Sequence, residues 1–176
     1  MRCLSNTLRG QKGSVLAVGL LTLALLTLIG IAATTTSTLE SQVAGNDRQQ
    51  KEAFYAAEVA LVVGENVVAT LPNRAELQED TKPGRYARGT QPAWDELNWD
   101  DTDSEAVLTD AIPQGLRQVA ANPRYTIEER LFRRDSYTIG IGVPTGVYQF
   151  NITGRGTGGD ATAEAVLQTI FAMRYD

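Results

Sequence analysis

SVLAVGLLTLALLTLIGIAATTTSTL, residues 14–39, contains no charged side chain, and its reading decides the fold. Val15–Ala33 is apolar apart from glycines and two threonines, a run long enough to cross a bilayer as a helix. Helix-compatible patterning continues beyond Leu39 to Leu71, now with polar residues on one side. Read as a single α-helix of some 58 residues, Ser14–Leu71 is about 85 Å long. Residues 14–36 form its membrane-spanning half and residues 37–71 its amphipathic half.

Within STLESQVAGNDRQQKEAFYAAEVALVVGENVVATL (Ser37–Leu71), Phe54, Leu61 and Val68 recur at heptad spacing. Ala57, Gly64 and Leu71 form a second column, and Ala53, Ala60 and Val67 widen the seam. Asp47 and Lys51 are spaced for an i,i+4 pair on the opposite face. Two readings of the seam are open. It packs on the chain's own globular part, or its small residues (Ala44-Gly45, Ala56-Ala57, Gly64) admit another helix at close range.

The leader in front, residues 1–13, carries Arg2, Arg9 and Lys12 and no acid. Retention of positive charge on the cytoplasmic side places Met1 inside and the C-terminal bulk outside. Three readings compete: a secretory signal, an uncleaved anchor, and a prepilin-type leader cut between Gly13 and Ser14. A secretory h-region of about 19 residues would exceed the usual span of roughly 7–15. The prepilin pattern fits the basic residues, the terminal glycine and the apolar run that starts at once.

Composition bounds the function. The chain has 176 residues, so about 105 remain beyond the helix, enough for one modest domain. Of 16 basic residues, three lie in the leader; the 13 left face 21 acidic ones, a balance of -8. Such an acidic region does not suit a nucleic-acid backbone. Histidine is absent, which removes the usual general base and the commonest zinc ligand. Cys3, in the leader, is the sole cysteine, so an intramolecular disulfide is excluded. These counts argue against an enzyme and offer no cofactor site.

Composition changes at Pro72. Residues 72–122 are polar and punctuated by proline, and read mostly as variable loop. Ser104–Ile112 is expected as a short helix capped by Ser104, and Pro113 as the start of another turn through Val119. The acidic cluster Asp95, Glu96, Asp100, Asp101, Asp103 and Glu105 offers alternating oxygens, but Ala106 stands where a calcium loop needs glycine. A solvated loop is the favoured reading of residues 95–105. Trp94 and Trp99 either anchor this loop to the domain, the favoured reading, or form an exposed contact surface.

Residues 123–176 pattern as strands. Pro123–Phe132 alternates Tyr125, Ile127, Glu129 and Leu131 on one face. Ser136–Val143 reads as a short strand or extended loop. Val147–Gly156 places Tyr148, Phe150 and Ile152 together, and Thr162–Met173 places Leu167 and Phe171 opposite Val166 and Ile170. The last two strands are expected to form a hairpin around GRGTGGD, with the glycine run (Gly154–Gly159) as its flexible turn rather than a phosphate loop. Three or four antiparallel strands, packed by one face on Ala53–Leu71, give an α+β fold.

The blocks Thr36-Ser37-Thr38-Leu39-Glu40, Ala44-Gly45-Asn46-Asp47-Arg48 and Ala53-Phe54-Tyr55-Ala56-Ala57-Glu58-Val59-Ala60-Leu61 follow the apolar run at fixed spacing. In these features Ser14–Glu65 resembles the N-terminal region of PilX-type minor pilins of the type IV pilus system. The resemblance implies a pilin-like fold and cleavage with N-methylation at Gly13/Ser14 by a prepilin peptidase. It implies an inner-membrane protein with a periplasmic C-terminal domain, later incorporated in the pilus. Other minor pilins, the major pilin and a tip adhesin are the implied partners, in a complex that primes assembly and serves adhesion and twitching motility. Two positions depart from the pilin pattern: Ser14 replaces the usual phenylalanine or methionine, and Val18 the usual glutamate. A K-type type II secretion pseudopilin, which also lacks that acid and sits at a filament tip, is the alternative. A membrane-anchored periplasmic binding domain is a third reading.

Overall fold

A computed structural model of the chain describes residues 12–71, 83–99, 102–116, 118–135 and 146–174. The basic leader through residue 11, Asp100, Asp101 and the expected strand Ser136–Val143 lie outside these residues. The chain divides into two compact units, Met1–Gly45 and Asn46–Asp176.

One helix, α1, runs from Lys12 to Thr70. In the first unit every α1 residue from Ser14 to Gly45 is exposed. The physical problem of this half is its hydroxyls, since the surrounding side chains are aliphatic. The chain solves it internally. Thr22, Thr27, Thr34, Thr35 and Thr38 each donate to the carbonyl three residues back, and Thr36 to the carbonyl of Ala32, at 2.7–3.0 Å. Each of these six threonines therefore keeps its hydroxyl proton bonded within the helix rather than seeking a partner in an apolar medium.

The second unit is the remainder of α1 laid against a sheet. Three long strands form the sheet: β3 (Arg124–Arg134), β4 (Gly146–Thr157) and β5 (Glu164–Arg174), in antiparallel succession. Two short strands, β1 (Arg85–Tyr86) and β2 (Glu105–Ala106), both pair with β3, β1 in parallel and β2 antiparallel. The core lies between α1 and the sheet, where Ala60, Val68, Tyr125, Ile127, Phe150 and Ile152 are buried with Val107 and Ile112. Burying each of the larger side chains contributes about 1.5–3 kcal/mol. On the far face of the helix Lys51 Nζ meets Asp47 at 2.7 Å, an exposed, solvent-screened pair that adds little to stability.

Three local expectations are corrected. Ser104–Ile112 is not a helix: it holds β2 and then a single 3-10 turn, Thr109–Ala111. The Ser104 hydroxyl accepts from Arg124 Nε at 2.7 Å instead of capping, and pairing with β3 outweighs local propensity. Leu131 leaves the buried face of β3 and is 39% exposed. A β-bulge between Glu129 and Leu131 inserts one extra residue, which inverts the alternation and puts Phe132 opposite Tyr148, stacked at 4.3 Å. The glycine run is not all turn. Gly154, Arg155 and Gly156 are regular strand residues paired with Leu167, Val166 and Ala165, and the chain reverses only after Thr157, with Gly158 N–H donating to Ala163. Beyond Pro113, the 3-10 turn Gln114–Leu116 forms where a helical turn was expected.

Candidate assembly surfaces

What the glycines of β4 do becomes clear from the helix they face. Ala53, Ala56, Ala57 and Ala60 have no exposed surface at all. A Cβ on Gly154 would lie 2.7 Å from the Ala57 carbonyl oxygen, and one on Gly158 2.6 Å from that of Gln49. A Cβ on Gly156 would overlap the backbone of Ala53 and Ala57. Farther along, Gly64 of α1 receives Ile152 and Tyr125. Helix and sheet thus meet backbone to backbone, alanine against glycine, over three turns of α1, before larger side chains take over. Of the residues named for helix packing, Ala57, Gly64 and Val68 are buried here, and Leu61 is half-buried against the core. Phe54 is turned away, 42% exposed and edge-on to Tyr55 at 6.2 Å. The buried stripe is Ala53-Ala57-Ala60-Gly64-Val68, and its 3.6-residue period carries Phe54 off the seam that a strict heptad assigns it.

Tyr55, Glu58, Val59 and Val62 on that outer side of α1 form one wall of a groove of about 750 Å³, and Ala111, Pro113 and Leu116 form the other. Val62 is exposed within it.

The tryptophans divide between the two readings. Trp99 is half-buried, with the Arg155 guanidinium over its ring at 5.9 Å, and so anchors the loop. Trp94 is 61% exposed beside β5. Between them Leu97 is buried, and the loop is tied to the sheet by Gln91, whose amide donates to Thr126 at 3.1 Å, and by Gly89 N–H to Glu128 at 2.9 Å. Residues Thr126 and Thr153 are buried beneath it, on the face of the sheet away from α1.

Asp100 and Asp101 lie outside the described residues, and Asp103 and Glu105 turn to different partners. Asp103 accepts from the Asn98 N–H at 3.2 Å, while Glu105 turns toward Arg85, 3.7 Å away. Among the described residues no group of three or more potential metal ligands is present. Burial, with the Glu105 carboxylate beside it, raises the Tyr125 hydroxyl well above the ordinary tyrosine range. Burial also raises Tyr86, whose hydroxyl donates to the Asp103 carbonyl at 2.8 Å. For a phenol raised by folding, the folded state holds its proton where the unfolded chain gives it up, so stability is full below about pH 10 and falls as pH rises beyond. Alkaline unfolding is therefore expected, and Tyr125→Phe should flatten, though not abolish, its pH dependence in a circular-dichroism titration, with Tyr86 supplying the residue of the slope.

At the start of α1, Gly13 and Ser14 fall in its first turn. Val18 is 59% exposed among leucines and valines.

Comparison with known families gives two matches that together span most of the chain. The PilX N-terminal model matches residues 12–62, and the model described as type IV pilus assembly protein PilX C-term matches residues 69–173. The chain belongs to the PilX family. It is thus a type IV pilus protein of a structural family, with a pilin-like α+β fold and an apolar N-terminal helix suited to membrane anchoring. No curated protein and no solved structure gave a match. The N-terminal family match opens at Lys12, the first described residue, and covers α1 as far as Val62. The C-terminal match takes in the tryptophan loop and the whole sheet, so the surface around Trp94 is part of the family domain.

Proposed function

We propose that this PilX-family chain is a minor pilin that primes type IV pilus assembly in a tip or initiation complex with other minor pilins, and that it helps display adhesive factors. The observation that carries the reading is the first half of α1: from Ser14 to Gly45 every residue is exposed, and the apolar ones have no cover within the chain. A helix of that composition belongs in a bilayer or among other such helices. The proposed sequence of events is insertion in the inner membrane with the C-terminal domain periplasmic, cleavage between Gly13 and Ser14 by prepilin peptidase, and lateral association of α1 with the helices of other minor pilins and the major pilin. The tip position rests on Val18, which cannot supply the carboxylate that pilins pair with a neighbouring amine. Intact-mass analysis of the protein from membranes should give a chain starting at Ser14, with the added mass of one N-methyl group. A start at Met1 or near Thr34 would overturn the reading.

A further inference from the structure

The two edges of the sheet are finished differently. The outer edge of β3 is covered: β1 takes Ile127 and Glu128, β2 takes Tyr125 and Arg124, and Gly84 and Val107 extend the pairing through bonds to Ile127 N–H and the Pro123 carbonyl at 2.7 and 2.8 Å. The outer edge of β5 pairs with no strand among the described residues, although β5 is eleven residues long. Nor does it carry the usual protections. Ala165–Met173 (AVLQTIFAM) contains no charge and no proline, and β5 has no bulge in its register with β4. An edge of that length and neutrality, unpaired by any strand among the described residues, is a ready template for another strand.

A second observation lies against the same edge. Trp94, Thr153, Glu164, Val166, Leu167 and Gln168 enclose a cleft of about 590 Å³, large enough for an aromatic or branched side chain. Trp94 supplies an exposed indole wall, and Gln168 is held in place by donating to Thr153 at 3.1 Å. The Glu164 carbonyl at the start of this edge accepts from the Gln50 amide at 3.4 Å; the edge from Val166 onward, which pairs with no described strand and lies beside a side-chain pocket, has the arrangement by which sheets bind extended peptides, the backbone giving affinity and the pocket selectivity.

We infer that the β5 edge is a docking site for an extended, uncharged segment of another protein, which adds to the sheet as a strand and seats one apolar side chain against Trp94. Charge favours a neutral occupant. Glu164 is held by Arg155 at 2.7 and 3.0 Å, and Arg174 by Asp135 at 2.8 and 3.0 Å, so the charges at the ends of β5 are already matched within the chain. A second copy is told apart from this occupant by the dependence of β5 protection on protein concentration, tested below.

The test uses the full chain in nanodiscs and a panel of capped nonapeptides of alternating threonine and valine, with glycine, leucine, phenylalanine or tryptophan at the centre. Expected is hydrogen-exchange protection of alternate β5 amides on peptide addition, with the aromatic-centred peptides binding best. Trp94→Ala should erase that preference, a loss of about tenfold as for a single anchor, while leaving the glycine-centred peptide unaffected. Ile170→Lys and Ala172→Lys, both at exposed positions, should abolish binding by all peptides with the circular-dichroism spectrum unchanged. No protection of β5 by any peptide, binding that survives both lysine variants, or β5 protection that depends on protein concentration without peptide would each overturn the inference. The anchoring reading fails separately, by the mass measurement, whatever the peptides do.

Discussion

Gly156→Ala is expected to lower the unfolding free energy by about 1–3 kcal/mol, the scale of an overpacked core position, and to lie toward the upper end because no rotamer can relieve it. The added methyl meets the backbone of Ala53 and Ala57 rather than a side chain that could swing aside, so the helix itself has to move. Displacing α1 there also opens the contacts at Gly154 and Gly158 on either side, which share the same approach. Since single domains are stable by only about 5–15 kcal/mol, the loss should be visible as a lower midpoint in denaturant for the full chain in detergent. Gly45→Ala is the matched control. Its Cβ would meet nothing within 4 Å, and alanine in a helix interior is favoured over glycine by about 1 kcal/mol, so the midpoint should hold or rise. Equal responses of the two variants would show that helix and sheet are not in the close contact described.

Val18→Glu is expected to change where the chain sits in a filament. In its own helix no side chain within a turn of position 18 (Ser14, Val15, Leu21 and Thr22) is cationic, and the Thr22 hydroxyl is already committed to the Gly19 carbonyl at 2.9 Å, so after the proposed cleavage the cations within reach are the α-amine of Ser14 itself and that of a neighbouring pilin. An unpaired carboxylate inside the bilayer costs about 2.5–3.5 kcal/mol on insertion scales. A neighbour's amine would relieve whatever part of that cost the chain's own Ser14 amine leaves, so the variant acquires a drive of at most roughly a hundredfold toward a position beside another pilin. Immunogold labelling of sheared pili should then show the variant along the shaft, whereas the natural chain, placed at the tip as proposed, should label one end. Unchanged incorporation and unchanged piliation would remove the argument for a tip position.

Much of this architecture is legible in the residues. The 3.6-residue pattern and the absence of strong breakers set α1 within two residues of its observed limits at each end. Period-2 alternation locates all three long strands, because each buries one face and turn-formers bound it. What escapes the sequence depends on partners far along the chain. The bulge after Glu129 leaves no composition signal, yet it decides whether Leu131 or Phe132 is packed. β1 and β2 are two residues each, and nothing local distinguishes Arg85-Tyr86 from loop; only the unsatisfied edge of β3 calls them into pairing. Gly154 and Gly156 look like turn residues because glycine signals both a reversal and a close approach, and the choice between them needs the alanines at positions 53–60 to be seen opposite. A glycine every second residue facing an alanine-rich helix is, in retrospect, the signal that was present. The heptad reading of Phe54 failed for a related reason: a single helix on a sheet follows its natural 3.6-residue pitch, and only supercoiling would have tightened it to 3.5.

The back-bonded threonines of the first half of α1 have a thermodynamic consequence. With Thr22, Thr27 and Thr34–Thr36 and Thr38 all satisfied from within, the outer surface of this segment is hydrocarbon in all but name. Lipid tails and leucine side chains are nearly equivalent solvents for such a surface. Transfer of the segment between a bilayer and a bundle of like helices is therefore close to isoenergetic, and the same helix can be withdrawn from one and returned to the other without a hydrophobic toll in either direction. For a chain anchored as proposed, the direction of travel is left to whatever acts at the ends of the segment, which makes it a reversible bearing rather than a lock.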